Sequence, residues 1–313
     1  MVQDLNGWRW RGQKFNPAEQ ISTVKYVCIT DIHSYLDQAI GALKELEKET
    51  GMQLMQGEQW SSEHKLILNG DMFDRGPQNR ETLEWALENA DVYNIGNHEF
   101  FAMFPDIVNE FMSEAYFENH GEEGLYWKNM DEEVRHRLLE AVAEGKITAA
   151  FKGPEYIYSH SGSDEGPDVE VLNRKLRDVG EKLLEAHEEM MAGDEEAFER
   201  AQRELMHIVE TDNGRELEGC PELFDVTRDS EGRTSTGGIV WNRFYNLDTE
   251  VPQVVGHTMG IYMVNEGFDW NPQWRGEVLN INTIRDYVRG DSPVAITVED
   301  RTEIDVFLLR PKK

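Results

Sequence analysis

Asp31-Ile32-His33 sets a carboxylate and an imidazole two residues apart. In extended chain, residues i and i+2 project to the same side, so this pair can grip one cation. Four further segments offer similar donors: Gly70-Asp71-Met72-Phe73-Asp74-Arg75-Gly76, Gly96-Asn97-His98-Glu99, His160-Ser161-Gly162 and Gly256-His257-Thr258. Each follows a short apolar run that reads as a strand, and in open α/β sheets ligands bind at the carboxyl ends of strands. Any one segment is weak evidence, because a single His is more often structural and Asp-x-His can cap a helix. Five such segments at five strand ends are hard to obtain by chance. Two Asp, one Asn and three His suit a pair of divalent ions of intermediate softness, Mn²⁺ first, with Fe or Zn²⁺ as alternatives. Mg²⁺ alone prefers oxygen ligands and water.

The strands that would deliver these donors are 24–30, 65–69, 91–95, 156–159 and 253–255. Helical spacing at 37–50 (Ile40, Leu43, Leu46) and 78–89 (Leu83, Leu87) alternates with the first three, which predicts parallel βαβ units. The last third is β-rich, with further runs at 261–264, 277–281, 294–298 and 305–309, and predicts a second, more antiparallel sheet packed on the first. The expected class is therefore α/β (α+β): two packed mixed sheets flanked by helices, in a single domain over 1–313.

Residues 163–235 differ from both halves. From 164 to 234 there are 22 acids and 9 bases, a net of −13. Leu172, Leu176, Val179, Leu183 and Met190 follow a 3–4 spacing, as do Phe198, Ala201, Leu205 and Ile208, with Gly193-Asp194 between them as C-cap and N-cap. This predicts an inserted acidic αα-hairpin, its acids forming the solvated face. Because the insertion leaves after His160 and returns before Trp241-Asn242-Arg243, it is expected to overhang the site and gate access to it.

Composition removes several functional classes. The 313 residues carry 31 Lys and Arg against 61 Asp and Glu, a formal charge of −30. A nucleic-acid binder needs local positive charge for phosphates, so no such partner is expected. Two cysteines, Cys28 and Cys220, exclude a disulfide scaffold or a thiolate zinc cage, and Cys28 in Val27-Cys28-Ile29 reads as a small core residue. No apolar run approaches the ~18 residues of a membrane span, and 1–16, with Trp8 and Trp10, lacks a signal core. A cytoplasmic protein without a membrane partner is expected. The acid excess, with 12 Lys beside 19 Arg, also suggests adaptation to a very salty interior that screens self-repulsion.

In order and spacing, the segments Asp31-x-His33, Gly70-Asp71-x-x-Asp74-Arg75-Gly76, Gly96-Asn97-His98-Glu99, His160 and Gly256-His257 resemble the calcineurin-like metallophosphoesterases. Asp-Arg-Gly with Asn-His-Glu is similar to the phosphoprotein phosphatase group of serine/threonine phosphatases. The resemblance implies the sandwich fold of that family and two metals: Asp31 and His33 on the first, Asp71 bridging, and Asn97, His160 and His257 on the second. It implies His98 as general acid oriented by Asp74, Arg75 and Arg243 as phosphate clamps assisted by Asn97, and direct attack by activated water without a phosphoenzyme. Arg228 and Arg233 lie near Arg243 and could serve instead. Glu99 is expected to support its loop through hydrogen bonds, while His64, His120, His136, His187 and His207 fall outside the motifs and read as surface or packing residues.

Two positions depart from the family pattern: Ser34 stands where Gly usually follows Asp-x-His, and Ser161 interrupts His-Gly-Gly or His-Ala-Gly. The resemblance implies a phosphoprotein or small phosphoester as substrate. It shares its motifs with dinucleoside polyphosphate hydrolases, for which Trp241, Phe244, Tyr245 and Trp270 could stack a base or merely pack the second sheet. A nuclease is disfavoured by the charge. A catalytically silent scaffold is disfavoured by the intact His98, Asp74 and Arg75. Substrate and oligomeric state stay open.

Overall fold

Along the first strand, Val27 and Ile29 face one side and Cys28 the other, and all three are fully buried. Side chains alternate along a strand, so a sheet with this pattern must be covered on both faces. The computed structural model describes residues 24–112, 125–228, 230, 234–260, 272–290, 292–301 and 303–311. Within them, the strands of the two main sheets are β1 (Tyr26–Ile29), β2 (Lys65–Asn69), β3 (Val92–Asn94), β4 (Ile147–Thr148), β5 (Ala150–Lys152), β6 (Ile157–Ser159), β7 (Gln253–Val255), β8 (Gln273–Arg275), β9 (Val278–Asn280), β10 (Val294–Glu299) and β11 (Ile304–Leu309). One sheet runs β11-β10-β1-β2-β3-β4, the other β8-β9-β7-β6-β5.

Strands β1 to β4 are parallel, as the alternation with helices α1 (Leu36–Thr50) and α2 (Asn79–Asn89) requires. The runs near 294–298 and 305–309 do form strands, but β10 pairs antiparallel with β1 and joins the first sheet, not the second. An apolar run specifies a strand without naming its partner. In the second sheet β9, β7 and β6 are parallel and the two edges antiparallel. Cys28, Ile67 and Ala295 from the first sheet meet Tyr158, Val254 and Leu279 from the second, forming the layer between them. The outer face of the first sheet is covered by α1, through Ala39, Leu43 and Leu46, and by α5 (Glu132–Ala143), through Leu138, Leu139 and Val142. Two short helices, α3 (Asn97–Met103) and α4 (Pro105–Phe111), precede α5.

The acidic segment begins as two helices, α6 (Val169–Met191) and α7 (Ala197–Leu205), but does not continue as helix. Strands His207–Thr211, Gly214–Glu218, Val226–Arg228 and Thr234–Gly237 form an antiparallel sheet. Ile208, which fitted the helical spacing, lies in a strand. The turn residues Asp212-Asn213-Gly214 are a hairpin signal that outweighs that spacing. Nor do the described contacts of α6 and α7 reach the donor segments. Asn173 bonds the backbone of Ala149 and Ala150, Gly180 lies against Val142, His187 bonds Glu132, and Gln202 bonds Asp106. The hairpin therefore clasps α5 and α4. Each apolar stripe goes to the nearest apolar surface, and α5 supplies one.

The expected strand 261–264, and Trp8, Trp10, His120, Arg233 and Trp270, lie outside the described residues. No helix among the described residues is long and apolar enough to cross a membrane. A last helix, α8 (Ile284–Arg289), follows β9.

Candidate metal centre

Strands β1, β2, β3, β6 and β7 end at one place, and the loops leaving them carry the donors. Asp31, His33, Ser34, Asp71, Asp74, Arg75 and His257 all have φ between 47° and 72°. They are seven of the eight described non-glycine residues with positive φ. Such backbone costs of order 1–3 kcal/mol per residue and persists only where the surroundings enforce it. Here the first two loops are zipped together: Asp31 N–H donates to Gly70 O (3.0 Å), His33 N–H to Asp71 O (2.9 Å) and Ser34 N–H to Met72 O (2.8 Å). Glycine is needed where other loops press in, since a Cβ at Gly96 would overlap Asp71 Oδ1 and one at Gly256 would overlap Asp31 Oδ2.

The six expected ligands converge. Asp71 Oδ2 lies 3.6 Å from His33 Nε2 and 3.4 Å from His160 Nε2, so one carboxylate oxygen faces both sets. On one side Asp31 Oδ1 is 3.9 Å from His33 Nε2. On the other, Asn97 Oδ1 is 3.1 Å from His160 Nε2 and 2.8 Å from His257 Nδ1. Two ligand groups sharing Asp71 emerge, His33/Asp71/His98 and Asp71/His160/His257. His33 Nδ1 faces Phe73 O (3.2 Å) and His160 Nδ1 faces Asn69 O (3.1 Å). A backbone carbonyl at Nδ1 fixes the tautomer and leaves Nε2 free to ligate. Asp31 is aimed by Thr30 Oγ1 (2.6 Å), the His257 N–H (3.1 Å) and Asn282 Nδ2 (2.8 Å).

The charges call for a cation. Burial, with the neighbouring Asp71 charge, pushes the Asp31 carboxyl up to about 7. Asp71 is held well below the usual range: its burial is overcome by His160, His98 and His33. His160 rises to about 9 despite its burial, because Asp71 and Asp31 face it. Buried carboxylates and imidazoles around one point thus demand positive charge among them, which divalent ions satisfy. Burial, together with Arg75, holds His33 well below its ordinary value, and burial, with Arg243, does the same for His257; neutral imidazole is the form that ligates. The donor set fits two metals.

Beside these donors, His98 Nδ1 meets Asp74 Oδ2 at 2.5 Å, and Arg75 Nη2 donates to His98 Nε2 (3.0 Å). Nε2 is 3.9 Å from Asp71 Oδ2. Glu99 accepts from the Asp71, Met72 and Gly96 amides and from the Tyr93 hydroxyl, which makes it a loop brace. Arg243, half-buried, is near enough for its charge to act on His257. Arg228 is occupied elsewhere, with Nε on Arg215 O (2.8 Å) and its guanidinium over Phe111.

Four participants escaped the sequence reading. Asn69 bridges the two sheets beneath the centre, donating to Ser159 O and Val254 O while its carbonyl receives Thr30 Oγ1. Asn79 Oδ1 accepts from Ser34 Oγ and from the Asp74 N–H, both at 2.7 Å, and its Nδ2 donates to Gly76 O. Ser34, the departure from Gly, is thereby tied to the loop that carries Asp74. Asn282 and Arg285 belong to the segment after β9. Proximity of Asn69 to Gly70 and of Asn79 to Gly76 was a signal available in the chain; nothing marked Asn282 or Arg285.

Residues 24–213 match the calcineurin-like phosphoesterase family. No curated protein matches the chain. Among solved structures, a point mutant of a cold-active protein tyrosine phosphatase is 14% identical, with TM-score 0.51, over 93% of this chain and 80% of that one. A metallophosphoesterase from Sphaerobacter thermophilus is 13% identical, with TM-score 0.43, over 93% and 90%. A serine/threonine protein phosphatase from Saccharomyces cerevisiae is 13% identical, with TM-score 0.39, over 92% and 81%.

Proposed function

The chain belongs to the calcineurin-like phosphoesterase family, and from that premise and the geometry of its centre we propose a serine/threonine protein phosphatase that works with two divalent metals. Asp31, His33 and Asp71 would hold one ion, and Asp71, Asn97, His160 and His257 the other. Bound there, the ions supply Lewis acidity toward phosphoryl oxygens and activate water for in-line attack. Mn²⁺ suits this mixed donor set best.

The observation that carries the reading is the His98–Asp74 contact of 2.5 Å beside Arg75 and Asp71. Serine and threonine are poor leaving groups, so their phosphoesters need a proton at the departing oxygen. His98 delivers it from Nε2. Asp74 holds the Nδ1 hydrogen and stabilises the imidazolium. Arg75 exchanges its contact with His98 for the phosphoryl oxygens, which a guanidinium fork matches, with Arg243 as second clamp and Asn97 assisting. A silent scaffold would have no use for the buried acid pair.

Turnover of phosphoserine, phosphothreonine and phosphotyrosine peptides, beside a dinucleoside tetraphosphate, tests this after chelation and Mn²⁺ return. Metal-dependent cleavage of the phosphoserine and phosphothreonine peptides is expected. Cleavage of the dinucleotide with inert phosphopeptides overturns the protein phosphatase reading in favour of a dinucleoside polyphosphate hydrolase.

A further inference from the structure

Arg135, near the start of α5, is a buried cation whose fork joins two other elements. Its Nη1 donates to Ala102 O and its Nη2 to Trp127 O (3.3 Å), while Nε donates to Glu132 Oε2 (3.1 Å). Ala102 lies in the last turn of α3, whose final carbonyls have no N–H partner within the helix. His98 stands on the same helix, one turn earlier. Trp127 belongs to a single turn of 3-10 helix, Tyr126–Asn129, and its N–H donates to Asp74 Oδ1 (3.1 Å). The other oxygen of that carboxylate is the one that meets His98. The buried Trp127 ring also packs on Phe101, with centroids 5.8 Å apart, and Phe101 packs on His98 at 5.0 Å.

One guanidinium thus ties the helix that carries His98 to the segment that grips the Asp74 carboxylate. The two members of the acid pair stand 24 positions apart in the chain, so their contact depends on both elements keeping register. Burying a cation is costly, and a lysine ammonium lacks the planar fork that serves two carbonyls on separate elements. Proton transfer in turn requires the donor to stay within hydrogen-bond reach of the departing oxygen. We propose that Arg135 is a positioning residue for proton delivery. Through Ala102 and Trp127 it holds His98 and Asp74 in register, and none of its three partners is an expected metal ligand. The role differs from that of Asn79, which bonds the Asp74 backbone and not its carboxylate. The proposal rests on the reading of His98 as general acid.

Its test is kcat and KM on a phosphoserine peptide and on nitrophenyl phosphate, measured with the Mn²⁺-loaded full chain and with His98→Asn as reference. Arg135→Met keeps an apolar stem and removes the fork. It should lower kcat on the peptide by about tenfold, the scale of an outer-shell contact. Turnover of nitrophenyl phosphate, whose leaving group needs little protonation, should stay near wild type, as should KM and metal content. Arg135→Lys, able to serve one carbonyl, should show the same pattern with a smaller loss. Equal losses on both substrates in Arg135→Met, or none, while His98→Asn keeps the leaving-group pattern, overturn the role of Arg135 alone. If thermal unfolding shows that the methionine variant does not fold, the lysine variant decides by the same comparison. Failure of both to fold makes Arg135 a residue of the fold and overturns the proposal as well. Equal losses in His98→Asn, or a peptide that the wild-type protein leaves intact, bring down the parent reading, and this one with it.

Discussion

In the donor loops Asp31, Asp71, Asp74 and Glu99 are buried, each with directed hydrogen bonds or imidazole neighbours, and the three aspartates sit on backbone bent into positive φ. In the α6–α7 hairpin Glu181, Glu185, Glu188 and Glu189 face solvent on regular helix, and ion pairs such as Arg200–Asp194 (2.7 Å) and Arg203–Glu199 (3.0 Å) are exposed. Exposed pairs of this kind contribute about 0–1 kcal/mol each. The same residue types thus serve opposite ends. At the centre the fold bears the expense of desolvated charge and strained backbone to present donors to a cation. In the hairpin, apolar stripes stabilise and charges only keep the surface wet. Mutations should therefore separate the two regions cleanly: centre variants lose chemistry with little loss of stability, and hairpin variants do the reverse.

The largest effect should come from Asp71→Asn. It faces both ligand groups, so turnover should vanish and metal content fall below two equivalents on elemental analysis. Normal turnover with two metals retained would remove Asp71 from the shared position. Next, His98→Asn should lower kcat by roughly a hundredfold or more on alkyl phosphates, the usual worth of a general acid, with metal content unchanged. The loss should shrink for nitrophenyl phosphate, whose leaving group needs little protonation; equal losses on both would contradict the acid role.

Asn79→Ala sharpens the contrast, because Asn79 touches the Asp74 loop but none of the expected ligands. Turnover should fall by about tenfold, the scale of an outer-shell contact, more on alkyl than on aryl phosphates. A uniform fall would mean that it supports the fold alone. In the hairpin, Leu183→Ala should cost about 2–5 kcal/mol in denaturant unfolding and leave kcat/KM unchanged, since Leu183 is fully buried in the packing of α6. A loss of activity without a loss of stability there would erase the distinction. The smallest effect expected is a rise in melting temperature between about 0.1 M and 2 M KCl as salt screens −30 formal charges. A flat or falling curve speaks against salt adaptation.

Much of the centre was legible because its donors come in short segments. Asp-x-His, Asp-x-x-Asp-Arg-Gly and Asn-His-Glu are local patterns, and the apolar runs before them mark strands by length alone. Strands 65–69 and 253–255 matched residue for residue for that reason. Cys28 read correctly as core because both of its neighbours are apolar too. Likewise, the stripes of α6 needed only their own spacing.

What the chain could not announce was partnership. Nothing in 294–298 says that it will pair with β1 at the far end of the sequence. Nor could it say that α6 would lie on α5, since an apolar stripe carries no address. Asn69, Asn79, Asn282 and Arg285 stayed hidden for a related reason. A polar side chain acquires its role from groups dozens to hundreds of residues away, as when Asn282 reaches Asp31 across 251 positions. The residue types and their order determined a calcineurin-like phosphoesterase with candidate donors for metal at its strand ends. Only the tertiary structure decided which side chains aim its ligands, because hydrogen bonds depend on distance and direction, and sequence separation measures neither.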